Sequence, residues 1–219
     1  MNDTVRIEKE RKFWDKTARQ YDKNTGADGG ELYRDLLIWI KEEISEKDIV
    51  LEIACGTGII SNEVAKIANK VVGFDISKNM ISQAINKLKE LKIENTSYFV
   101  GDGYRSAFAD KTFDVVLCCN VFHLVQNPAR VIKEVHRVLK DDGFIITATD
   151  LYGGKRTLKG RIRTSLTWIA KKIGFISFVQ FYKGSDLLSL IENNGFRVIE
   201  KRELNYIGMQ GLYTICKKT

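Results

Sequence analysis

The chain has 219 residues, 44% of them apolar and 29% charged, which suits one large domain with its own core. No apolar run approaches the roughly 20 residues that span a bilayer, and the charged start "MNDTVRIEKERKFWDK" lacks a signal-peptide core, which points to the cytoplasm. The formal charge of +7 is local: residues 151–185 hold eight of the 35 basic residues and none of the 28 acids, which argues against a surface built for nucleic acid.

In chain order, two helices are expected near residues 5–23 and 30–44, joined by the polar loop "NTGADGG". "DIVLEIA" is a nearly continuous apolar strand, as expected where both faces of a sheet are covered. Ile59, Ile60, Val64 and Ile67 then recur with helical spacing across "TGIISNEVAKIANK". "VVGFD" is a second strand, and "SKNMISQAINKLKELK" a helix with Ser77 as its N-cap. "TSYFVG" and "FDVVLCCNVF" follow as strands. "NPARVIKEVHRVLKDDG" is an amphipathic helix with Pro128 in its first turn and Val131, Ile132, Val135, Val138 and Leu139 on its apolar face. "FIITATD" is a fifth strand, "SDLLSLIENNG" a helix ending at Gly195, and "FRVIEKRELN" and "GLYTICKK" two closing strands. The alternation describes an α/β fold, doubly wound, with helices on both faces of a mostly parallel sheet.

In such sheets ligands sit beyond the carboxyl ends of the strands. The first strand ends on "ACGTG", whose glycines admit a ligand close to the backbone. The dinucleotide fingerprint G-x-G-x-x-G fails there: positions 54, 56 and 59 hold Ala54, Gly56 and Ile59, and positions 56, 58 and 61 hold Gly56, Gly58 and Ser61. Glu52, two residues before the turn, opposes a pyrophosphate and suits a ligand carrying positive charge. Asp75 ends the second strand, where a carboxylate accepts hydrogen bonds from ribose hydroxyls. Asp102 follows the third strand, and Asn120 stands at the mouth of the fourth. The four cysteines and two histidines show no metal-ligand spacing, so no metal is expected and the cysteines read as reduced core residues.

From residue 13 to 149 these motifs, in this order, resemble the class I S-adenosylmethionine-dependent methyltransferases, and most of all the ubiquinone/menaquinone-biosynthesis-type (methyltransferase type 11-like) group. The resemblance implies a Rossmann-like sheet of seven strands with one antiparallel C-terminal strand. It implies S-adenosyl-L-methionine as cofactor, held at Glu52, Ala54, Cys55, Gly56 and Gly58 of the glycine-rich motif "VLEIACGTG". Ala54 replaces that motif's first glycine, which implies slight crowding rather than lost binding. Asp75 is then placed on the ribose, Ile76 and Met80 on the adenine, Asp102 and Gly103 at the adenine edge, and Asn120 at the fourth strand's end. "FWDKTARQYD" is similar to the N-terminal helix that closes over the cofactor, with Tyr21 as a contact. Two rival readings stand beside it: an S-adenosylmethionine-binding domain without catalysis, and a nicotinamide-dependent oxidoreductase, against which Glu52 and the failed fingerprint argue.

Methyl transfer displaces a sulfonium in line, so a base is needed only where the nucleophile must lose a proton. His123 is the first candidate for that catalytic role, with a packed or cofactor-facing histidine as the alternative; Asp150, at the end of the fifth strand, reads equally as a substrate contact or a loop cap. Within the basic segment Ile162, Leu166, Ile169, Ile173 and Ile176 form one helical stripe. It is expected to bury on the domain as a lid over a small-molecule pocket. The other reading is a basic amphipathic surface across 155–183, meeting a membrane or an anionic or lipid-like acceptor. The chain is thus expected as a single methyltransferase domain: cap helices 1–45, cofactor core 46–150, basic lid or insertion 151–185, and C-terminal helix and strands 186–219.

Overall fold

The computed structural model describes residues 3–25, 31–151, 162, 164–169, 178–206 and 209–219. The strands are β1 (Ile49–Ile53), β2 (Lys70–Asp75), β3 (Thr96–Val100), β4 (Phe113–Cys119), β5 (Leu139–Leu151), β6 (Phe196–Tyr206) and β7 (Met209–Lys218). They form one seven-stranded sheet in the order β3-β2-β1-β4-β5-β7-β6. Every neighbouring pair from β3 to β5 is parallel, and β7 runs antiparallel to both β5 and β6. The order reverses at β1, so the glycine turn lies at the switch point between β1 and β4, where such sheets open a crevice.

Both faces are covered, which is why β1 is apolar at successive positions. Val50 packs with Trp39 and Ile40 of α3 (Glu31–Glu43) and Val64 of α4 (Ile59–Val64). Leu51 points the other way, toward Val131, Ile132 and Val135 of α6 (Pro128–Val138) and Leu187 of α7 (Gly184–Glu192). In α5 (Lys78–Leu91) the Ser77 side chain accepts from the Met80 N–H at 3.1 Å, the cap expected from sequence. Asn127 caps α6 and Pro128 stands in its first turn.

Two helices end earlier than their spacing predicts. The helical spacing of α4 runs on to Ile67, yet the helix stops at Val64. The Asn95 side-chain amide donates to the carbonyls of Ala65 and Ala68 at 2.9 and 3.0 Å, drawing them away from a continued helical ladder. Helix α6 stops at Val138, and "LKDDG" belongs to β5 instead. The backbone N–H groups of Lys111 and Thr112 take the Arg137 and Val138 carbonyls at 3.0 and 2.8 Å. Gly143 then fits where an added Cβ would stand 2.9 Å from the Asp114 carbonyl.

The expected lid also differs. Of its stripe, Ile162, Leu166 and Ile169 are 54%, 62% and 48% exposed, while Thr164 is 8% exposed. At 100° per residue Thr164 lies opposite these three, so the stripe faces away from the buried Thr164, while Trp168 beside Thr164 is 52% exposed. Ile173, Ile176 and the basic residues from Lys155 to Lys172 lie outside the described residues. No described helix is long and apolar enough to cross a membrane.

Candidate functional site

The turn after β1 is built on left-handed backbone. Ala54, Gly56 and Gly58 have φ of 55°, 54° and 75°, a region open to glycine and costly for other residues. A Cβ on Gly58 would stand 2.8 Å from the Tyr98 ring carbon Cζ, so this position serves packing as well as conformation. A Cβ on Gly56 would meet only Tyr21, at 3.7 Å, which leaves a cradle on that side. Ala54 is exposed on the cavity wall, and its cost lies in its backbone angle rather than in crowding within the chain. Replacing Ala54 by Gly should therefore stabilise the fold by about 1 kcal/mol and raise the melting temperature by about 2–4 °C. Thermal melts of the two proteins check this.

Two buried acids flank the turn. Asp75, 8% exposed, accepts the Gly56 N–H at 3.0 Å and the Ser77 N–H at 2.8 Å. Burial pushes its carboxyl up to about 6, against these two hydrogen bonds. Glu52, 3% exposed, accepts the Ser61 N–H at 3.0 Å and the Ser61 hydroxyl. This ties β1 to the first turn of α4, and burial pushes the Glu52 carboxyl up to about 7. Each carboxylate oxygen has more acceptor capacity than these bonds use.

The N-terminal segment lies across the strand ends as a strap: α1 (Asp3–Thr17), a 3₁₀ turn (Ala18–Gln20) and α2 (Tyr21–Thr25). Arg130 of α6 pairs with its Asp3 and Arg11 donates to the Ile76 carbonyl, and three further clasps each fall on a different motif. At the third strand's loop, Arg6 pairs with Asp102 and with Glu10 at 2.8 Å, its guanidinium 4.0 Å above the Tyr104 ring. At the α5 cap, Asp15 accepts from the Ser77 hydroxyl at 2.6 Å and the Asn79 N–H at 3.0 Å. At the glycine turn, Asp22 accepts from the Thr57 hydroxyl at 2.5 Å and pairs with Lys87.

Strap and strand ends line a cavity partly open to solvent, at the place where such sheets bind small molecules. Tyr21, Ala54, Gly56, Asp75, Ile76 and Met80 line it. Asp102 and Gly103 after β3 and Asn120 after β4 line it as well, with Asn120 itself in left-handed backbone at φ 58°. Glu52 and Cys55 line a smaller chamber that shares Tyr21, Ala54, Gly56 and Cys119 with the first. Gly58 lines neither chamber and acts through the turn. His123 lines neither as well: it is 4% exposed, its carbonyl accepts the Gln180 N–H at 2.6 Å, and burial pushes its imidazole down to about 4. Sequence reasoning missed Arg6, Glu10, Trp14, Phe74 and Tyr104 on the cavity wall. The buried positions of α1 are Arg6 and Glu10, both charged, so a search for an apolar stripe passes over the face that is buried. Their i, i+4 spacing of opposite charge was the available signal. Among the described residues no cluster of side chains is arranged to hold a metal ion.

A model of the methyltransferase domain family matches residues 51–147. An uncharacterized protein of Methanocaldococcus jannaschii is 32% identical over 212 residues, covering 86% of this chain and 76% of its own. The ubiquinone biosynthesis O-methyltransferase of Coxiella burnetii is 26% identical over 171 residues, covering 78% of this chain and 73% of its own. A solved S-adenosylmethionine-dependent methyltransferase of Methanosarcina mazei shares the fold, with a TM-score of 0.67 at 22% identity over 82% of this chain and 96% of its own. With a matching fold, an open glycine turn and an acid-lined cavity at the switch point, the chain belongs to the methyltransferase domain family: it is a class I S-adenosylmethionine-dependent methyltransferase.

Proposed function

We propose that S-adenosylmethionine lies along the strand ends with its ribose on Asp75 and its adenine between Ile76, Met80 and the Asp102–Gly103 loop. Its methionine portion runs over Gly56 toward Glu52, Cys55 and Asn120. The residues fit the group: Asp75 is buried on the wall with acceptor capacity left, and the Gly56 cradle is open where a side chain would fill it. The cofactor supplies a methyl group already activated on a sulfonium. The chain's own part is to bind, align and exclude water. Tyr21 and Trp14 on the strap close the cavity from above, and the three clasps hold the strap there. His123, neutral and set off the wall, serves to pack the loop after β4 rather than to carry a proton.

The acceptor is a small molecule, and we read it as an amphiphile met at an anionic membrane surface. The observation that carries this is the outward apolar stripe of Ile162, Leu166 and Ile169 in a segment with eight basic residues and no acid. A basic helix with one apolar side is suited to lie in a headgroup layer. That a relative is named for ubiquinone biosynthesis supports a small-molecule acceptor. On this reading residues 1–45 form the cap, 46–150 the cofactor core, 151–185 the membrane-facing insertion and 186–219 the closing helix and strands of one domain. Sedimentation at physiological salt should pellet the protein with phosphatidylglycerol vesicles and leave it in solution with phosphatidylcholine alone. Leu166→Glu should weaken the pelleting about tenfold or more. A protein that stays in solution with anionic vesicles contradicts the reading.

A further inference from the structure

Glu10 and Asp102, both on the cavity wall, are not equivalent. Both oxygens of Asp102 are engaged, one by the Arg6 guanidinium and the other by the Tyr104 N–H at 3.2 Å. Glu10 uses one oxygen, Oε2, which accepts from Arg6 at 2.8 Å. Its other oxygen, Oε1, is buried with no hydrogen-bond partner in a residue that is 6% exposed and lines the cavity. A buried carboxylate oxygen without a donor is costly, and the residue that carries it lines the cavity.

We propose that Glu10 is the residue that reads the purine, accepting the exocyclic amino group of the adenine through Oε1, while Asp102 holds Arg6 and thereby Glu10 in place. The inference rests on the cofactor placement proposed above. Arg6 is the bridge: stacked on Tyr104 and bonded to both acids, it fixes the Glu10 carboxylate at the cavity wall. Burial, helped by the neighbouring Asp102 charge, raises the Glu10 carboxyl above its ordinary value against the pull of Arg6. A purine with a carbonyl in place of the amino group would set acceptor against acceptor, and a site built around a buried polar group rejects such an analogue strongly.

The test is calorimetric binding, with no turnover involved, of S-adenosylhomocysteine and of its 6-oxo analogue S-inosylhomocysteine at pH 8. The wild-type chain should prefer the amino form by about 30-fold, the effect of one buried charged acceptor meeting or missing its donor. In Glu10→Gln, whose amide can donate as well as accept, the ratio should fall to within about threefold, and in Glu10→Ala likewise. Asp102→Asn should keep most of the preference. A 30-fold ratio that survives in both Glu10 variants overturns the proposal, as does an equal loss of both ligands, which would mark a merely structural role. Collapse of the ratio in Asp102→Asn alone would overturn it by assigning the contact to Asp102. A wild-type chain that binds neither nucleoside contradicts the cofactor placement itself, and the inference falls with it.

Discussion

Replacing Glu52 by Gln should raise the melting temperature at pH 8 by about 6–12 °C, although it alters a residue of the motif. Burial holds the Glu52 carboxyl near 7 in the folded chain, against an ordinary value of 4.5. A folded-state value above the unfolded one means that stability is full below the unfolded value and is lost as pH rises through the folded one. At pH 8 the ionised, buried carboxylate thus costs about 3 kcal/mol, which glutamine does not. The glutamine carbonyl can still accept from the Ser61 N–H and hydroxyl, so the tie between β1 and α4 survives. The gain should shrink to less than about 1 kcal/mol at pH 5, where both states of the wild-type chain hold more of the proton. Melts of both proteins at pH 5 and 8 check it, and an equal shift at the two pH values would show that charge is not the cause. On the proposed placement the cofactor's positive charge favours the ionised form, so wild-type affinity for it should rise between pH 6 and 8, and that rise should flatten in the variant.

The second large effect is on binding. Asp75→Ala should weaken S-adenosylmethionine about 100-fold, because it removes the charged acceptor assigned to the ribose hydroxyls. Its removal should not lower the melting temperature at pH 8 in proportion. Burial raises the Asp75 carboxyl to about 6, so losing a buried charge offsets the loss of its bonds to Gly56 and Ser77. Binding and stability then part company. Titration and melts of the same variant read both, and parallel losses would mark Asp75 as a packing residue only.

The features legible in the sequence are those written locally. Ser77 at its cap, Pro128 in the first turn of α6 and the apolar run of β1 each act within a few residues, and all stand where expected. The acids and glycines of the cavity were legible because strand ends in a doubly wound sheet converge on one crevice. The parts misread depend on distant partners. Asn95 ends α4 from about a sheet strand away, and the loop before β4 ends α6. The direction of the stripe at residues 162–169 depends on which side meets the domain, and periodicity reports only that a stripe exists. The wall residues Arg6 and Glu10 were invisible to an apolar pattern because a charged network, closed by Asp102 some hundred residues on, is what buries them. Ala54 turned on a dihedral angle that its side chain does not announce.

One measurement bears most directly on the account: calorimetric titration of the chain at pH 8 with S-adenosylmethionine, its demethylated product and NAD. Micromolar binding of both sulfur nucleosides with no response to NAD is the predicted result. Micromolar binding of NAD with no response to either sulfur nucleoside would contradict it.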